Sequence, residues 1–158
     1  MGGFALLVTL FYLFSTTEIF QRVLQTPSLE LNAHVSAAIL RLLGVDASAA
    51  EATISSPRFS VRIWAGCDAL EPFGLYTAAV LASPVPVLFR SLGVLGGAVL
   101  FFLINQVRIV SIFFVGIYAP NAFETVHLDV WQTIFVFLVV IVWLLWAHWT
   151  TRMEESRA

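Results

Sequence analysis

Three side chains of unlike chemistry stand out against an aliphatic background: Cys67, Arg108 and His127. Cys67 is the only cysteine, so it can form neither an internal disulfide nor a CxxC metal knuckle. It is then a small buried apolar residue, a reactive thiol, or half of an intermolecular bridge. It sits in Trp64-Ala-Gly-Cys-Asp-Ala-Leu-Glu-Pro72, just ahead of an apolar run. Pro72 favours the first turn of a helix, and Asp68 with Glu71 has the spacing of a capping box. The two signals differ by one residue, yet both place Cys67 beside a helix N-terminus. There the dipole and free amides lower a thiol's pKa.

Arg108 interrupts a second apolar run together with Asn105 and Gln106. Arginine near the centre of a membrane helix costs about 2.5–3.5 kcal/mol. About ten residues follow before the run ends, which puts Arg108 roughly 10–15 Å deep. Snorkelling to the interface is the plainer explanation, but that depth is far for it. Asn105 is three residues earlier, on the same helix face, and is expected to orient Arg108. His127, between Glu124 and Asp129, can shuttle a proton. A thiolate nucleophile needs a base or cation to generate it, and acyl transfer needs a donor for the developing oxyanion. Cys67, His127 and Arg108 can fill those roles.

The other histidines offer less. His34 falls on the polar face of an amphipathic stretch, and His148 lies beside Trp149 at the far end of the last apolar run. A haem held by His127 and His148 fails, since 21 residues of helix separate them by roughly 30 Å. Zinc on Cys67, His127 and His34 would have three ligands and an open position. No spacing ties His34 to the other two, so no metal or cofactor is expected.

The elements that must position these groups are membrane helices. Hydrophobic residues make up 59% of the 158, charged residues only 11%, and the mean hydropathy is +0.91. The chain has no lysine; its arginines are Arg22, Arg41, Arg58, Arg62, Arg90, Arg108, Arg152 and Arg157, without a cluster. With a net charge of −2 this argues against nucleic acid as a partner. A spanning helix takes about 20 apolar residues. Four candidates follow, at about 2–20, 70–89, 92–118 and 130–149, in one membrane domain covering 1–158. The first lacks a basic start and a cleavage site, so it is expected to be retained. Pro84 and Pro86 soften the second, and Arg90-Ser91 links it to the third. Trp131, Trp143, Trp146 and Trp149 flank the fourth, as interfacial aromatics do.

Between the first two runs lies a small cap. Leu31, Val35, Ala38, Ile39 and Leu42 make one helical stripe, with Glu30, His34 and Arg41 opposite, which predicts an interfacial helix ended by Gly44. Phe59, Val61 and Ile63 alternate with Arg58, Ser60 and Arg62, a strand pattern. Ser55-Ser56-Pro57 could turn it into a hairpin with Ala52-Thr53-Ile54. The fold class expected is therefore an all-α membrane protein with a small cap of amphipathic helix and short β-hairpin. Strict alternation of four helices puts Cys67, His127 and the outer end of the third span on one side. The count of arginines near the spans does not decide which side that is.

Gly66-Cys67-Asp-Ala-Leu-Glu71, Asn105-Gln-Val-Arg108-Ile109 and Phe123-Glu-Thr-Val-His127 with Trp131 together resemble the exosortase/archaeosortase family, nearest to its short exosortase H branch. The resemblance covers roughly Ile63 to Trp149. It implies a multi-pass enzyme of the cell (inner) membrane, with Cys67, Arg108 and His127 as catalytic residues on the extracytoplasmic side. The implied partner is a membrane-anchored protein bearing a C-terminal sorting signal: a short motif, a helix and a basic tail. Many relatives have a small polar residue and then glycine after the cysteine, where this chain has Asp68 and Ala69. An acidic neighbour opposes thiolate formation.

The reading that follows is a cysteine protease or transpeptidase that passes through a Cys67 acyl-enzyme. Trp64, Phe123 and Trp131 are candidates to line its peptide groove. The competing reading is a non-enzymatic scaffold or assembly subunit, in which Asn105 and Arg108 glue helices together and Cys67 is dispensable.

Overall fold

The computed structural model describes residues 2–155; Arg157 lies outside them. Helix α1 (Gly2–Ser15) ends at Thr16-Thr17. Thr17 Oγ1 accepts from the Phe20 amide at 3.3 Å and starts the next helix. That helix, α2 (Glu18–Leu42), leaves α1 at an angle of 74° and widens into a π-type turn over Gln21–Gln25. The first span expected at 2–20 therefore stops at Ser15, and its last residues belong to the same helix as the amphipathic stretch.

Helix α2 buries a face that hydropathy does not suggest. Asn32, Ala33, Ser36, Ala37 and Leu40 turn inward, while Leu31 (53% exposed) and Leu42 (88%) turn outward with His34 and Arg41. Small residues let helix backbones approach closely, and polar ones hydrogen-bond across the contact. The two ends of the apolar stripe are left exposed and its middle, Val35, Ala38 and Ile39, half-buried. Gly44, at φ 84°, follows the last turn and donates to the Arg41 carbonyl.

The cap contains a three-stranded antiparallel sheet in the order β1-β2-β3: β1 (Ser48–Ala50), β2 (Thr53–Ser55) and β3 (Ser60–Arg62). The hairpin expected around Ser55-Ser56-Pro57 is β2–β3, with Ile54 opposite Val61. Strand β1 is an addition to it. Ile54 and Ile63 sink into a core shared with Ala33, Ala37 and Leu40 of α2 and with Ile109 and Phe113.

Helix α3 runs Leu70–Ala82, α4 Val87–Tyr118 and α5 Trp131–Glu155, the last entered through a π-type turn over Thr125–Val130. Pro84 and Pro86 do more than soften a span. The residue before proline is pushed out of the α region, and Ser83 is extended at ψ 138°. So α3 stops at Ala82, short of Phe89, and α4 starts at Val87 with Arg90-Ser91 inside it. Among the described residues two helices are long and apolar enough to cross a membrane, Val87–Tyr118 and Thr125–Met153, with the bent α1/α2 pair as a third at most. The four spans expected are thus two or three by this measure, because α3 has only 13 residues. It nevertheless packs against α1, α4 and α5. Gly97 lets the Tyr76 ring lie against α4, and Gly93 does the same for Trp146. Phe101 and Phe135 complete this second core.

Candidate functional site

The cysteine stands in a tight loop between β3 and α3. Gly66 takes φ 87°, the Cys67 amide donates to the Trp64 carbonyl at 2.9 Å, and Ala69 takes φ 61°. A left-handed alanine costs about 1–2 kcal/mol. This is the position where the family resemblance leads one to expect glycine. The capping box does not form as expected. Asp68 Oδ1 accepts from Leu70 N at 3.2 Å, and the helix begins after Ala69 with no further side-chain cap.

Cys67 Sγ lies 3.0 Å from His127 Nε2. His127 reaches it from the helical turn Thr125–Val130. Phe123 lies beside the imidazole, ring centroids 5.7 Å apart. Arg108, buried at 4% exposure, places Nη2 at 3.8 Å from the same sulfur and Nη1 at 3.5 Å from the Gly66 carbonyl. Its guanidinium carbon is 5.3 Å from the centre of the Phe135 ring, within cation–π range. Its Nε has no hydrogen-bond partner. The three residues singled out by type thus meet at one sulfur atom.

Asn105 acts differently from expectation. Its Nδ2 donates to the Cys67 carbonyl at 2.9 Å and to Asn32 Oδ1 at 3.0 Å, so it ties the cysteine loop to two helices and makes no bond to Arg108. Gln106 Nε2 donates to the same Asn32 oxygen at 2.6 Å, and Ser36 Oγ donates to Gln106 Oε1 at 2.7 Å. Asn32 in turn donates to the Ser28 carbonyl. Asn32 and Ser36 carry no signal in a single sequence, because polar residues on an amphipathic helix read as its wet face.

Burial pushes the Cys67 thiol above its ordinary pKa; Arg108 pulls it down and Asp68 pushes it further up. The lowering expected from the helix N-terminus does not prevail, because desolvation of the anion is the larger effect. Asp68, also buried, has its carboxyl raised, first by desolvation and then by Glu71, against the pull of backbone amides and Arg108. Its Oδ2 is unpaired. Both shifts disfavour the charged forms of the two groups.

Two grooves approach this centre. One, of about 680 Å³, starts at Gly66 and Arg108 and runs between α1, α3 and α5 past Leu75, Val139 and Trp143 to Ser83 and Pro84. The other, about 500 Å³, runs along Phe59–Arg62 and Trp64, with Gly116, Pro120, Phe123 and His127 as its far wall. Trp64 and Phe123 line this second groove, whereas Trp131 donates to Ser111 Oγ at 3.1 Å. His34 is on the exposed face of α2, away from the sulfur, and among the described residues no three of His, Cys, Asp and Glu converge as metal ligands. The zinc grouping is therefore not assembled. The family model described as transmembrane exosortase matches residues 2–146. No curated protein and no solved structure matches the chain.

Proposed function

Since the chain belongs to the transmembrane exosortase family, we propose that it is a membrane cysteine peptidase or transpeptidase whose nucleophile is Cys67. The observation that carries this is the 3.0 Å approach of Cys67 Sγ to His127 Nε2 beside the Arg108 guanidinium. His127 takes the thiol proton as sulfur attacks a substrate carbonyl carbon and the S–C bond forms. Arg108 donates to the oxygen that gains charge; a fixed cationic donor in a site shielded from water suits that task. Collapse breaks the C–N bond, and His127 returns its proton to the leaving amine. The resulting thioester is then resolved by an amine or by water. Asn105, bonded to the Cys67 carbonyl, acts as a positioning residue.

The family resemblance supports a substrate with a C-terminal sorting signal, cut where its anchor helix leaves the membrane. It also supports an inner-membrane location with the site on the extracytoplasmic side. The scaffold reading gains one point: Asn105 and Gln106 spend their hydrogen bonds holding α4 to α2. Helix gluing does not require a thiol against an imidazole. In cells co-expressing a membrane protein that ends in such a motif, helix and basic tail, Cys67→Ala should abolish its processing. The variant's own abundance should stay unchanged. Continued processing by the variant would overturn the assignment.

A further inference from the structure

The three-stranded sheet has a free edge beside the nucleophile. In β2–β3, Ser56 N donates to the Phe59 carbonyl and Ile63 N to the Ala52 carbonyl, and Ile54 faces Val61 between them. Phe59, Val61 and Ile63 therefore turn their main-chain groups toward β2. Ser60 and Arg62, in the intervening pairs with Ser55 and Thr53, turn theirs away from it. Among the described residues no group bonds the main-chain N–H or C=O of Ser60 or Arg62. Two donors and two acceptors are left along one edge. A short edge flanked by Arg58 and Arg62 is also what a chain builds to discourage pairing. This edge differs in where it leads. The groove along Phe59–Arg62 ends on His127, and the turn from Trp64 to Cys67 joins the strand's end to the sulfur.

The geometry points to β3 as the receptor for the substrate's main chain: an extended segment of the protein substrate adds to this edge as a fourth strand, and its scissile carbonyl is thereby set beside Cys67. Strand addition draws affinity from main-chain hydrogen bonds and selectivity from alternate side chains. Here alternate side chains would meet the groove wall of Phe123 and Pro120. An extended backbone is also the form a helix-anchored protein presents where its chain leaves the anchor. The inference rests on Cys67 being the nucleophile proposed above.

The test uses the full chain in detergent or nanodiscs and two electrophiles. Chloroacetone and acetyl-tetra-alanine chloromethyl ketone both alkylate a thiolate, with an S–C bond formed and chloride displaced. The peptidyl reagent should modify Cys67 at least tenfold faster than chloroacetone. N-methylation of its residues one at a time should remove that gain at alternate positions and spare the ones between. No gain, or equal loss at every position, overturns strand addition. The parent reading is judged separately by chloroacetone alone. If His127→Ala leaves that rate unchanged, the thiol–imidazole pair is not functional. If His127→Ala slows it while the N-methyl series shows no alternation, only the strand inference falls.

Discussion

The two halves of α4 are held in place by different physics. From Val87 to about Ile104 the helix is fitted mainly by shape, with Gly93 under Trp146, Gly97 under Tyr76, and Phe101 against both Tyr76 and Phe135, while the Tyr76 hydroxyl and Trp146 indole donate to the Gly93 and Phe89 carbonyls. From Asn105 onward it is fitted by hydrogen bonds, through Asn105 and Gln106 to Asn32 and through Arg108 to the cysteine loop. Among the described residues, the shape-fitted half has one buried polar side-chain atom without a partner, Arg90 Nε. The hydrogen-bonded half and the cysteine loop it faces have three, Asp68 Oδ2, Asn105 Oδ1 and Arg108 Nε, all around Cys67. Buried polar groups are normally satisfied. Three such atoms gathered around one thiol fit a site that takes a partner, whereas the shape-fitted half has a single one, far along the helix.

The comparison predicts that changes in the hydrogen-bonded half fall on rate and changes in the shape-fitted half on stability. The largest expected effect is His127→Ala, which removes the group proposed as base and later acid; positioned proton transfer typically contributes about 10²–10⁴-fold. Specific activity per folded molecule should drop by that order, and the bell of the pH–rate profile should lose a limb. A drop in abundance with intact specific activity would instead assign His127 to packing. Arg108→Lys comes next. It keeps the charge but not the planar fork, and loss of one oxyanion donor costs about 10²–10³ in rate. The profile should keep its shape at lower height; a change of shape would make Arg108 part of the titrating pair.

Gly97→Ala tests the other half. A methyl there meets the Tyr76 ring, and overpacking of this kind costs about 1–3 kcal/mol. The thermal midpoint in detergent should fall while specific activity is kept. Lost specific activity at full stability would show that the halves are coupled. The smallest effect is Asp68→Asn. Burial raises the Cys67 thiol and Asp68 raises it further, so removing that charge should lower it. The pH profile of Cys67 alkylation should move to lower pH. For stability the sign is opposite to a salt-bridged carboxylate. The Asp68 carboxyl is raised in the fold, so its contribution is full at acid pH and lost as pH rises through the folded value. Asp68→Asn should therefore stabilise the protein at neutral pH and not below the ordinary carboxylate range. An alkylation profile moved to higher pH would contradict the effect of the Asp68 charge on the thiol, and no gain in stability at neutral pH would contradict the burial of Asp68.

The three side chains that converge in the candidate site stood out in the sequence because they are expensive there. A guanidinium within an apolar run, a lone thiol before a proline-started helix and a histidine between two acids each break the background. What they share in space, the sulfur, followed from chemistry and not from spacing. The helix faces were not legible to the same degree. In water the apolar stripe of α2 would be its buried side; beside a bilayer Leu31 and Leu42 can face outward while Asn32 and Ser36 turn in. Strand β1 was missed because Ser48-Ala49-Ala50 has no β-branched or aromatic residue. The ends of α3 and α4 were misplaced because Pro84 and Pro86 act on their neighbours' backbone, which a hydropathy sum does not register.

The length of α3 has a consequence for the bilayer itself. Its 13 residues measure about 20 Å at 1.5 Å each, against a hydrocarbon layer of about 30 Å. Packed among α1, α4 and α5, it cannot bring both of its ends to the headgroups at once. Either the loop at Ser83–Pro86 or the loop carrying Cys67 then sits at acyl-chain depth, or the lipid thins around it. Irregular backbone is tolerated there only against protein or water, and the 680 Å³ groove lies along α3 between the two loops. For the function proposed above, membrane thickness then becomes a variable: lipids of different chain length should change how fast a soluble reagent reaches the thiol.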